Sequence, residues 1–185
     1  MLKRRDDPFA LIVGMTGVKM GDQLAQIGCG HGGRLAALAA KVGLSGRAVA
    51  IVPDEPSATR ARTGAQQAGV LVEVEIAPPT RLPLDPDAFD LVIIDDTEGL
   101  LAAASTDDQT KTIREAKRVV RPGGRVMVIG AAPAARGILA AVLSRGPGGP
   151  AFDSTPLFSA GGFKSVRTLA ERDGLVFAEA IKPRG

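Results

Sequence analysis

The sequence predicts an α/β domain built on one doubly wound, mostly parallel sheet of seven strands, the last of them antiparallel. Three observations predict it. Short β-branched runs alternate with helical patterns along most of the chain, the order of a parallel sheet covered on both faces. A glycine cluster, Gly28-Cys-Gly-His-Gly-Gly33, stands between the first strand-like run and the first strong helical pattern. The two final strand-like runs meet across Asp173-Gly174, and Asp-Gly between such runs signals a hairpin.

The elements follow in order. Residues 1–20 read as an N-terminal helix or arm packing on the core, and 21–185 as a single domain without repeats or a linker. Met1-Leu-Lys-Arg-Arg5 followed by the apolar run from Phe9 to Val18 imitates a signal peptide, but Asp6, Asp7 and Pro8 interrupt it. Ten apolar residues also fall far short of the ~20 that span a bilayer. Asp22–Ile27 is a strand, and Arg34–Val42 is a helix stopped by Gly43. Arg47–Val52 is a buried strand, Pro56–Ala68 a helix closed by Gly69, and Val70–Ile76 a strand again. Phe89–Ile94 is β-branched and ends at Asp95-Asp96. Thr106–Val120 is a helix terminated by Arg121-Pro-Gly-Gly124, and Arg125–Ile129 is the next strand. Pro133–Leu143 reads as a helix and Gly146–Pro150 as a breaker loop. After a short turn around Pro156–Ala160, the strands Phe163–Ala170 and Leu175–Ile181 form the hairpin.

Composition narrows the chemistry. The 185 residues suffice for one domain with a real core, and 45% hydrophobic with 23% charged residues excludes wholesale disorder. There are six Phe but neither Tyr nor Trp, which removes Tyr acids, Trp stacking platforms and aromatic cages. The net charge of +3 is scattered along the chain, so no nucleic-acid footprint is expected. The single Cys29 and single His31 cannot make an intrachain disulfide or a Cys/His zinc site, and a cytoplasmic location is expected.

Gly28, Gly30 and Gly32 allow a tight bend and a close backbone approach to a ligand, beside the free N–H groups of a helix N-terminus. With Gly33 the run also satisfies the dinucleotide pattern G-x-G-x-x-G. In its wider context the chain resembles the class I S-adenosylmethionine-dependent methyltransferases from about Gly21 to Lys182. The segment from Gly21 to Gly32 is similar to that family's first motif. Leu44-Ser-Gly-Arg-Ala-Val is similar to the approach to its second strand, and Leu82 to Ile94 to the stretch through its fourth. Arg114-Glu-Ala-Lys-Arg-Val-Val-Arg-Pro-Gly-Gly-Arg-Val126 is similar to its helix–turn–fifth-strand signature, the most specific match. The resemblance implies a Rossmann-like fold of the methyltransferase type, with S-adenosylmethionine as cofactor.

It also implies where the cofactor would sit. The positions carried over are Gln26, Gly28, Cys29, Gly30, Gly32, Val52, Asp54 and Asp95. Three acids usual in the family are replaced here, by Gln26 at the end of the first strand, Val52 at the end of the second and Pro78 after the third. Each lost partner costs about 1–3 kcal/mol if the ligand's donors stay desolvated, so weak or undetectable S-adenosylmethionine binding is expected. Asp54, two residues beyond Val52, is a substitute ribose acceptor, or it starts the following helix with Glu55 and Pro56. Asp95 and Asp96 lie at the carboxyl edge, where open α/β sheets bind ligands. Asp96 alternatively caps a helix beginning near Thr97-Glu98. His31 reads as a solvated loop residue and Cys29 as a small packed one, with no sign of an activated thiolate.

Three functions compete. The first is methyl transfer to a small-molecule acceptor, for which alignment and proximity supply much of the catalysis and no catalytic side chain is identified. The second is a catalytically inactive protein of the same fold, serving a protein partner as a structural or regulatory subunit. The third is an NAD(P)-binding oxidoreductase, disfavoured by the Pro-Gly-Gly turn, the terminal hairpin and the lack of Tyr.

Overall fold

The computed structural model describes residues 9–132 and 153–185. The expected helix Pro133–Leu143 and the breaker loop Gly146–Pro150 lie outside the described residues. A first helix, α1 (Ala10–Thr16), leads into the alternating series. That series runs β1 (Gln23–Ile27), α2 (Gly32–Val42), β2 (Arg47–Val52), α3 (Glu55–Ala68), β3 (Glu73–Ile76), β4 (Phe89–Asp96), α4 (Thr106–Val119) and β5 (Val120–Ala131). It closes with α5 (Thr155–Ala160), β6 (Lys164–Arg172) and β7 (Leu175–Ile181).

The seven strands form one sheet in the order β3-β2-β1-β4-β5-β7-β6. β7 pairs antiparallel with both β5 and β6, so it alone opposes the other six. The chain reverses its order between β1 and β4, whose carboxyl ends therefore diverge into separate loops and leave a crevice.

Alternation along the buried strands divides the core between the two faces. Ile27, Ile51, Ile94 and Val128 pack with Ile113 and Val119 of α4 and with Phe158 of α5. On the other face Leu24, Leu91, Ile93 and Met127 pack with Leu38 and Val42 of α2 and with Ile12 of α1. A smaller cluster joins Ala50 and Val52 to Leu35, Ala58 and Ala61 beneath α2 and α3. No helix among the described residues is long and apolar enough to cross a membrane.

Three local expectations change. The strand foreseen over Val70–Ile76 is paired only from Glu73, since Val70 still donates to the carbonyl of Ala65 in closing α3. The helix foreseen over Thr106–Val120 ends at Val119, and extended Val120 already pairs with Phe89. Arg121-Pro-Gly-Gly124 is consequently an irregularity inside β5, where the register shifts before Leu91 meets Arg125. The turn around Pro156–Ala160 is the short helix α5.

Candidate functional site

β1 ends at Ile27, and Gly28 turns the chain with φ +81°, a conformation that L side chains rarely adopt. A Cβ there would also stand 2.9 Å from the carbonyl oxygen of Asp95 on the neighbouring strand. The loop enters α2 through His31, whose Nδ1 accepts the N–H of Gly33 at 3.1 Å. The Phe9 ring, immediately before α1, lies 5.3 Å from the imidazole at the helix entrance. Gly32 packs backbone to backbone against Gly64 and the Arg60 carbonyl of α3.

Across the crevice, Asp95 is 4% exposed and organises the contact between the two loops. Its Oδ2 accepts the Gly30 N–H at 2.9 Å. Its Oδ1 accepts the Thr97 hydroxyl at 2.6 Å and the Thr97 N–H at 3.2 Å. Arg34 of α2 reaches the same oxygen at 3.4 Å and donates to the Thr97 hydroxyl at 2.5 Å. Asp96 turns the other way, and its Oδ1 accepts the N–H groups of Leu101 at 2.6 Å and Ala102 at 3.2 Å. The alternative that Asp96 caps a helix at Thr97-Glu98 is thus corrected: it caps the turns before α4, because Gly99 at φ +80° breaks any helical path. Burial holds the Asp96 carboxyl above its ordinary value of 3.8, against the two N–H bonds that pull it down.

The open cleft between these loops has a volume of about 310 Å³, at the small end of the ~300–1,000 Å³ typical of ligand pockets. Gly28, Cys29 and Gly30 line one side and Pro53, Asp54, Ser57 and Arg60 a second. Asp95, Glu98, Gly99 and Leu100 line the third. Asp54 caps α3, with Oδ1 accepting the Ser57 N–H at 2.9 Å. Hydrogen bonds from the Ser57 backbone and then its side chain hold the Asp54 carboxyl below 3.8. Arg60 donates through Nε to the Cys29 carbonyl at 3.0 Å and through Nη2 to Ser57 at 3.0 Å and Glu98 at 2.6 Å.

Of the positions carried over from the sequence, Gly28, Cys29, Gly30, Asp54 and Asp95 come together around this cleft. Gln26 lies beneath it, buried, its amide donating to the Gly28 carbonyl at 3.0 Å. Gly32 serves the α2–α3 contact instead. Val52 is turned into the apolar cluster with Leu35, Ala58 and Ala61, so the end of β2 presents Pro53 and Asp54 to the cleft in its place. Burial first, and the Asp95 carboxylate second, push the Cys29 thiol up to about 11, which leaves it protonated at neutral pH. Sequence reasoning missed Arg34, Thr97, Arg60 and Glu98. Ser57 and Arg60, one helical turn apart behind the Asp54 cap, carried the only local signal of a polar helix face turned toward the loop.

A family model described as a methyltransferase domain matches residues 25–128. Over 108 residues the chain is 32% identical to an uncharacterized 37.1 kDa protein in transposon Tn4556 of Streptomyces fradiae. That match takes in 58% of this chain and only 30% of the Streptomyces protein's length. Among solved structures, a SAM-dependent methyltransferase from Aquifex aeolicus superposes with a TM-score of 0.72 at 21% identity, covering 95% of this chain and 94% of that one. The YcgJ protein from Bacillus subtilis superposes with a TM-score of 0.69 at 16% identity, covering 96% and 98%.

Proposed function

Because the chain belongs to the methyltransferase-domain family, we propose that it transfers the methyl group of S-adenosylmethionine to a small-molecule acceptor, with the cofactor in the cleft between β1, β2 and β4. One observation carries this reading. The cleft lies at the crevice where the strand order reverses, and five of the eight positions carried over from the sequence line it.

Asp54 takes the ribose in this reading. Its Oδ1 is committed to the α3 cap, while the carboxylate lines the cleft beside the end of β2. A charged acceptor suits a diol because charge-assisted hydrogen bonds are about twice as strong as neutral ones. Asp95 supplies the carboxylate that Gln26 no longer offers, presented from β4 instead of β1 and steadied by Thr97 and Arg34. The methyl group then leaves by direct displacement, so the protein's part is to hold the acceptor in line and exclude water.

Calorimetric titration with S-adenosylmethionine and S-adenosylhomocysteine tests the reading. The wild type binds both. Asp54→Ser, which keeps a capping oxygen but removes the charge, retains its thermal stability and loses about tenfold or more in affinity. Absence of heat at about millimolar ligand would leave the second hypothesis, a protein of this fold without methyl transfer.

A further inference from the structure

Arg60 and Glu98 belong to opposite walls of the cleft, and no local feature of either element requires them to meet. Arg60 stands in the second turn of α3, and Glu98 stands in the turn after β4. Their side chains join at 2.6 Å while both still line the cleft. Arg60 is also anchored on its own side, to Ser57 and to the Cys29 carbonyl of the glycine loop. The guanidinium therefore runs from α3 past the glycine loop to the far wall, with three partners along its path.

We propose that the Arg60–Glu98 ion pair is a gate across the cofactor cleft, which must break before the ligand can enter. The proposal rests on the reading that S-adenosylmethionine occupies this cleft, and it adds how entry is controlled. Three physical points support it. The cleft's volume of about 310 Å³ is at the floor of the range for small-molecule sites, so with the pair formed across it there is little room for a nucleoside joined to an amino acid. The side chains of the pair are 38% and 56% exposed, and an ion pair in that setting contributes little to stability. Such a contact opens readily without unfolding its surroundings. Finally, the Glu98 carboxylate has Arg60 as its one hydrogen-bond partner among the described residues, whereas Arg60 is also held by Ser57 and by the Cys29 carbonyl, so the pair parts on the Glu98 side. Breaking the pair also releases Glu98 beside a ligand carrying a sulfonium and an ammonium.

Stopped-flow binding of S-adenosylhomocysteine and S-adenosylmethionine to the wild type, Glu98→Gln, Arg60→Ala and the double variant tests the gate. The Glu98→Gln substitution raises kon by about two- to fivefold, the factor expected from removing an exposed pair. The wild-type kon rises between about 50 mM and about 500 mM NaCl as the pair is screened, and that of Glu98→Gln stays flat. The effects of the two single variants on kon are not additive, because either one opens the same contact. Thermal unfolding separates these effects from misfolding, and all four proteins melt within a few degrees of one another. Equal kon and equal salt response in wild type and Glu98→Gln overturn the gate while leaving the cofactor reading intact. Binding seen only after Glu98→Gln supports the gate in its strongest form. No binding by any of the four proteins overturns both.

Discussion

Gly30 and Gly32 stand two residues apart in one loop, yet a methyl group added at each meets different obstacles. At Gly30 it meets side-chain atoms, Thr97 Oγ1, Arg34 Nη2 and Glu98 Cγ, of which Thr97 and Arg34 yield only by giving up their contacts with Asp95. At Gly32 it meets the backbone of Arg60 and Gly64, which cannot yield. Chemical denaturation of Gly32→Ala is expected to show a loss of about 1–3 kcal/mol, the usual cost of overpacking. Gly30→Ala displaces Thr97 and Arg34 from the buried Asp95 carboxylate, a loss of about 1–3 kcal/mol, and it also weakens cofactor binding in the same titration. Asp96 provides a second test, through pH. Burial raises its carboxyl above 3.8, so the folded protein holds this proton more tightly than the unfolded chain does. The group accordingly costs stability as pH rises above 3.8 toward the raised value, and the full cost persists beyond it. Asp96→Asn keeps an oxygen for the Leu101 and Ala102 N–H groups and removes the charge. Denaturation midpoints of variant and wild type should coincide below pH 3.8 and favour the variant at neutral pH.

At the scale of elements, the hairpin joining β6 and β7 shows local sequence and local structure in agreement. Asp173 and Gly174 adopt φ +53° and +76°, the two left-handed residues of a tight hairpin turn whose twist matches the strands. Nothing lies within 4 Å of a Cβ built at Gly174, so the cost of substitution there is one of backbone conformation alone. Gly174→Ala should lower stability by about 1–2 kcal/mol, measured by thermal unfolding, with no change in ligand affinity. The strands were legible because their β-branched runs are buried on both faces, as Ile93-Ile94 and Val49–Val52 are. The segment Val70–Val72 misled because its valines pack beneath α2 and α3 without pairing to β2. Pro122-Gly123-Gly124 misled for the opposite reason: its breakers disturb a strand without ending it, since Val120 is already paired.

Across the whole molecule, legibility follows sequence distance. The glycine loop, the Asp54 cap and the Asp95-Asp96 pair were readable because each is a short pattern with a local physical reason. Arg34 on Thr97, and Arg60 on Glu98, join residues 63 and 38 positions apart. The side-by-side pairing of β1 with β4 brings them together, and no local pattern reports that pairing. The N-terminal segment is a different case. It reads as a helix or arm packing on the core, and in its described part Ile12 and Val18 are buried in one cluster with Leu24 and Leu38. Arg125 of β5 moreover donates to the Gly17 carbonyl at 3.2 Å and to the buried Glu179 carboxylate at 3.2 Å. The arm is accordingly expected to unfold together with the sheet. Ile12→Ala should cost about 2–4 kcal/mol, and it should shift one cooperative transition without producing a second, as circular dichroism and hydrogen exchange would report.

The contact between Gly32 and Gly64 has a mechanical consequence. With backbone against backbone and no side chain between them, the start of α2 and the middle of α3 leave each other no room to slide. The glycine loop and the helix bearing Asp54 and Arg60 therefore behave as a single jaw. Widening the cleft falls to the opposite jaw, the few residues from Thr97 to Leu100, which Asp95 anchors at one end and Asp96 at the other. Stiffening that short span, for example by Gly99→Ala, is accordingly expected to slow both entry and exit of a ligand, as stopped-flow rates would report.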